Sequence, residues 1–172
     1  MHRRTLLIAL TTLAGACTTP RSAPQRAAPA PDQAFQTLKG LVGAWQGTNE
    51  RGRTFLVDYR LVAGESVLVE TWTMSPTRTS MTVYHMDGDA LIATHYCPLG
   101  NQPRLQYRPE ISGQRLEFRF RDATNLPNER VAHEHAFWIE INGDGTFARN
   151  ETYVENGEAG SETSTFARLP QP

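Results

Sequence analysis

The sequence predicts an all-β domain, a roughly ten-stranded antiparallel up-and-down β-barrel preceded by a short helix. Three observations carry that expectation. From about residue 45 to residue 169, β-branched and aromatic side chains alternate with polar ones in short runs, the two-residue period of strands that bury one face. Gly, Asn, Asp and Pro stand between the runs, the residue types that reverse a chain tightly. The runs follow one another so regularly that sequential neighbours are expected to pair, and such a meander loses its exposed edges by closing on itself. A sandwich of two stacked sheets is the competing arrangement.

Residues 1–16 read as a secretory signal. His2, Arg3 and Arg4 form a cationic start, residues 5–13 an apolar run too short to span a bilayer, and Ala14-Gly15-Ala16 a small-residue cleavage site. Residues 17–32 read as a tether. Four of the eleven prolines (Pro20, Pro24, Pro29, Pro31) fall there among Ala, Ser, Gln and Arg, with no large apolar side chain to bury. Residues 33–169 then make one domain with a single core. Phe35, Leu38, Leu41 and Val42 recur at helical spacing before Gly43 interrupts. Strands are expected over 45–50, 53–62, 66–74, 79–86, 90–97, 104–111, 114–122, 131–141, 146–155 and 162–169.

The chain carries 17 basic and 18 acidic side chains, and loss of Arg3 and Arg4 with the signal leaves a formal charge of −3. No basic stripe stands out, so nucleic acid is not an expected partner. Cys17 and Cys97 are the two cysteines, which excludes a disulfide framework.

Residues 1–17 resemble a bacterial lipoprotein signal ending in a lipobox, which implies lipidation of Cys17, a bacterial cell-envelope location and a membrane tether. Thr18 after that cysteine resembles the pattern sorted to the outer membrane, facing the periplasm. Leu41-Val42-Gly43-Ala44-Trp45-Gln46-Gly47, a short helix entering Gly-x-Trp and the first strand, resembles the opening of the calycin barrels: lipocalins, fatty-acid-binding proteins and the haem-binding nitrobindins. That resemblance implies a calycin-like, lipocalin-like barrel and a plugging role for Trp45 at the closed end. The stretch from Tyr84 through His95-Tyr96-Cys97 to Pro103 is similar to uncharacterised bacterial lipocalin-like domains.

Loop lengths give the barrel a polarity. Connections after even strands are tight (Ala63-Gly64, Asp87-Gly88, Ser112-Gly113, 142–145), whereas 75–78, 98–103 and 123–130 are longer and contain proline. The entrance is assigned to the rim of long loops. Strand alternation sends Leu91, Ala93, His95 and Cys97 inward on one strand, Leu116, Phe118 and Phe120 on another, and His133, His135, Phe137, Ile139 and Ile141 on a third, with Glu134 outward. Glu70 and Asp58 read as surface carboxylates, Arg119 and Arg121 as a solvated stripe, and Trp72 and Met74 as packing beside Leu68.

The expected function is binding or carriage of a small hydrophobic or amphipathic ligand. Phe118, Phe120 and Phe137 supply apolar wall; His95, Cys97, His133 and His135 stand near the opening, with Asn101, Gln102 and Arg104 in or beside the loops to orient a polar head. A self-filled barrel that binds nothing is the bland alternative, with a non-enzymatic scaffold in an envelope complex as its role. The nitrobindin resemblance implies a further alternative, non-covalent haem with His135 as axial ligand. His133-x-His135 with His95 and Cys97 holds enough nitrogen and sulfur for zinc but lacks a tight metal spacing, and no catalytic set or cofactor is expected.

Overall fold

The computed structural model describes residues 27–112 and 115–170. The signal, Cys17 and most of the tether lie outside the described residues. A helix, α1 (Pro31–Lys39), opens the domain, four residues ahead of the expected start, because Pro31 sits at its first turn beside Asp32 and turns Ala34, Phe35 and Leu38 into the core. Ten strands follow: β1 (Gly43–Asn49), β2 (Thr54–Val62), β3 (Val67–Ser75), β4 (Arg78–Asp87), β5 (Ala90–Tyr96), β6 (Gln102–Tyr107), β7 (Leu116–Thr124), β8 (His133–Ile141), β9 (Phe147–Glu155) and β10 (Glu158–Arg168). Each pairs antiparallel with the next, and β1 pairs with β10, so a single sheet closes into a barrel and the sandwich alternative falls. The link between β6 and β7, expected as a tight turn, instead contains a four-residue helix, α2 (Pro109–Ser112); the Gly113 expected there lies outside the described residues. The β9–β10 hairpin turns on Asn156 and Gly157, both at positive φ (55° and 83°), the backbone a two-residue turn of this hand needs.

One pole is sealed. Trp45, two residues after Gly43, is buried there with its Nε1 donating to the Leu41 carbonyl at 2.7 Å and its ring at 79° to that of Phe147, centroids 4.8 Å apart. Arg168 at the end of β10 covers the other side of that indole and donates to the carbonyls of Val42 and Gly40. Above this plug the lower interior is filled. Phe147 stacks on Phe166 at 4.3 Å and Phe118 on Phe137 at 4.5 Å, with Tyr59, Tyr84 and Tyr107 around them. Each buried phenyl ring contributes on the order of 2 to 3 kcal/mol of transfer free energy. Gly47 makes one of these contacts feasible: a Cβ there would lie 2.2 Å from the Phe55 ring and 2.8 Å from that of Phe166.

Three sequence expectations about facing are corrected. In β8 the alternation breaks at a bulge between Glu134 and Ala136, where one residue too many faces β9. Glu134 is therefore fully buried and points its carboxylate to interior groups, while Phe137 and Ile139 still face the core; Ile141 ends exposed. Glu70 is not a surface carboxylate. It shares its strand face with Leu68 and Trp72 and is completely buried. Asp58 is half-buried on the outer face and pairs with Arg60.

Candidate functional site

The interior is built in three tiers. Above the aromatic floor lies a buried ionic tier centred on Arg149, whose side chain has no solvent exposure. Alternation along β9 places Phe147, Arg149, Glu151 and Tyr153 in a column rising from floor to mouth. Arg149 Nη1 donates to both carboxylate oxygens of Glu70 at 2.8 Å and to the Tyr84 hydroxyl at 2.9 Å. Its Nη2 reaches Glu134 Oε1 at 3.1 Å and Glu151 Oε1 at 3.2 Å. Glu70 also accepts hydrogen bonds from Trp72 Nε1 and the Tyr84 hydroxyl. Two buried atoms of this tier, Glu134 Oε2 and Arg149 Nε, have no hydrogen-bond partner.

His95 joins the ionic tier to the mouth. Its Nδ1 lies 3.1 Å from Thr82 Oγ1 and 3.5 Å from Glu134 Oε2, and its Nε2 lies 3.3 Å from the Tyr153 hydroxyl. Burial lowers its pKa to about 4, so the ring is neutral, with Nδ1–H facing Thr82 and Glu134 and Nε2 accepting from Tyr153. Burial also raises the carboxyls of Glu134 and Glu151 to about 7, against the opposing pull of Arg149. One guanidinium thus faces three carboxyl groups, two of which sit near half-protonation at neutral pH.

The third tier is a cavity of about 630 Å³ that opens at the pole opposite Trp45. Phe55, Trp72 and Met74 form an apolar wall, with Phe55 stacked on Trp72 at 4.7 Å. Glu151, Tyr153, Ser80 and Ser164 form a polar one, and Cys97, Pro98 and Leu99 of the β5–β6 loop lie at the rim with Arg53, Arg78 and Glu155. The Cys97 thiol is raised above its ordinary value, chiefly by burial, and stays protonated at neutral pH.

The residues singled out from sequence scatter over this frame. His95 lies in the interior and Cys97 lines the cavity. Asn101 is buried behind the rim, its side-chain amide donating to the Ala132 carbonyl at 2.8 Å. Gln102 and Arg104 instead line a groove on the outside of the barrel, and Arg104 pairs there with Asp122; regular alternation along β6 turns Pro103, Leu105 and Tyr107 inward and these two outward. Phe118 and Phe137 belong to the filled floor. His133, His135 and Phe120 form a separate stack, His135 lying on Phe120 at 5.4 Å and sharing a 3.2 Å hydrogen bond with His133. None of the three lines the cavity. The residues do not fit haem on His135, because its ring packs against Phe120 and His133, away from the open space. Nor do the four groups weighed for zinc converge, and among the described residues no three His, Cys, Asp or Glu side chains form a metal-ligand group.

Sequence reasoning missed Arg149, Glu151 and Tyr153 and misplaced Glu70 and Glu134. The signal was strand parity: Glu70 shares it with Leu68 and Trp72, and Arg149 and Glu151 share it with Phe147. Among the described residues no helix is long and apolar enough to cross a membrane. No protein-family model matches the sequence, and no curated protein shows significant similarity to it. The closed ten-stranded antiparallel barrel with its helix and Trp45 plug is consistent with a calycin-like fold.

Proposed function

We propose that this barrel binds a small amphipathic molecule in its mouth cavity, apolar part against Phe55, Trp72 and Met74 and polar part toward Glu151 and Tyr153. One observation carries the reading: open space of about 630 Å³ persists above a floor that is otherwise filled. That volume falls within the range of small-molecule sites, roughly 300–1,000 Å³, and its division into apolar and polar walls matches such sites. In this reading the domain acts by holding and releasing its ligand. Trp72 in the wall supplies an intrinsic reporter. Titration of the protein with a medium-chain alcohol should quench or shift indole emission in a saturable way, and Trp72→Leu should remove the response. A linear, unsaturable response, or one unchanged in Trp72→Leu, rules the reading out.

The lipoprotein signal supports placing this activity at a bacterial envelope surface, with the barrel tethered through acylated Cys17. Metabolic labelling with a radioactive fatty acid should mark the wild-type chain and leave Cys17→Ser unlabelled. Equal labelling of both chains excludes the tether.

A further inference from the structure

We infer that the cavity selects ligands with a cationic, amine-type head group. This rests on the binding reading above and assigns the chemistry of its polar end. The inner end of the cavity presents the Glu151 carboxyl, about a quarter exposed, and the Tyr153 hydroxyl beside the Phe55–Trp72 stack. Arg149 already lies over the Trp72 ring at 5.4 Å, so an ammonium placed there meets the Glu151 carboxyl for a charge-assisted hydrogen bond and the Phe55 ring for cation–π attraction, the pair of interactions that suits an organic cation.

The alternative head group, a carboxylate or phosphate, would sit against the Glu151 carboxyl with neutral hydroxyls, those of Ser80, Tyr153 and Ser164, lining the same wall. The cation of the tier below, Arg149, is already shared among Glu70, Glu134 and Glu151 at 2.8 to 3.2 Å. An anion would add further negative charge beside three carboxyl groups, two of them partly protonated, that already share one guanidinium. Arg53 and Arg78 are exposed at the outer rim, where solvent screens them and Glu155 and Glu162 line the same cavity.

Calorimetric titration of the full chain carrying Cys17→Ser, so that no acyl group competes, with decylammonium, decanol and decanoate below micelle-forming concentrations tests the inference. The expected order is decylammonium tightest and decanoate weakest, separated by at least about tenfold, the value of one charge-assisted hydrogen bond with its opposite repelled. Glu151→Gln should weaken decylammonium about tenfold and leave decanol unchanged. Decanoate binding as tightly as decylammonium overturns the inference, as does a folded Glu151→Gln protein with undiminished preference for the cation. If Glu151→Gln does not fold, the wild-type order of the three probes decides alone. Absence of binding by all three probes defeats the binding reading itself, whereas binding of decanol and decanoate without decylammonium defeats only the head-group assignment.

Discussion

Replacing Arg149 by Met is the sharpest perturbation this interior offers. The change keeps much of the side chain's length and apolar stem and removes the one positive charge of the ionic tier. Glu70 then keeps only the neutral donors Trp72 Nε1 and Tyr84 hydroxyl, in a site with no solvent exposure. At an effective dielectric constant of about 20, a unit-charge pair roughly 4 Å apart interacts by about 4 kcal/mol. Breaking a buried pair from one side costs about 3 to 5 kcal/mol. That is a large share of a stability of about 5 to 15 kcal/mol for a domain of this kind. The assay is urea unfolding followed by far-ultraviolet circular dichroism, run as a cycle with Glu70→Gln and the double variant. Since the double variant removes both charges, it should recover about 1 to 3 kcal/mol relative to the sum of the singles. The deficit of Arg149→Met should also shrink at pH 5, where the stranded carboxyls take up protons. A loss under about 1 kcal/mol, or strict additivity in the cycle, refutes the claim that this cluster is a coupled unit.

Glu151→Gln reads the same cluster through pH. Its carboxyl is raised in the folded protein from 4.5 to about 7, so its contribution is full below the unfolded value and lost as pH rises through 7. Gln mimics the protonated form, so the variant should gain on wild type by up to about 1.4 kcal/mol per pH unit between about pH 5 and 7; a difference independent of pH in denaturant titrations would sink this. His95 acts oppositely. Lowered to about 4 when folded, it contributes stability that is lost as pH falls from 6.5 through 4, so His95→Gln should narrow its deficit over that interval in the same titrations. Gly47→Ala forces a methyl group against the rings of Phe55 and Phe166 and should lower stability by about 1 to 3 kcal/mol, measured by urea midpoint at unchanged slope. Cys97 should react slowly with iodoacetamide at neutral pH, and more slowly still with the cavity occupied, as followed by mass spectrometry.

The barrel was legible in the sequence because it rests on a local rule repeated ten times. Most strands lie within one to three residues of their expected bounds, as with 66–74 against Val67–Ser75 and 79–86 against Arg78–Asp87. The last strand starts earlier than 162: Glu158–Ser161 holds no large apolar side chain on either face and so carries no period, yet it pairs with β9. The site was less legible for a physical reason. Charged residues were assumed to face water, a sound prior that fails when several charges neutralise one another inside. Arg149 needed Glu70, Glu134 and Glu151, which come from three strands and meet only after closure. The bulge at residues 134–136 then reversed the sense of β8 without any glycine or proline to announce it, which moved Glu134 inward and took His135 away from the cavity. Trp45 was legible because Leu41 and Gly43 fix its surroundings within a few residues.

The seam between the first and last strands governs how this protein can be made. Gly47 lies opposite Phe166, so a chain still growing on the ribosome lacks the partner that completes the hoop until all ten strands have emerged. Before then two strand margins stand open to mispairing, and the aromatic floor wants one of its stacked rings. Acquisition of the native state is consequently a late, concerted event with a high entropic toll for long-range closure. Deleting even the final strand should yield a sticky, incomplete sheet rather than a smaller working barrel.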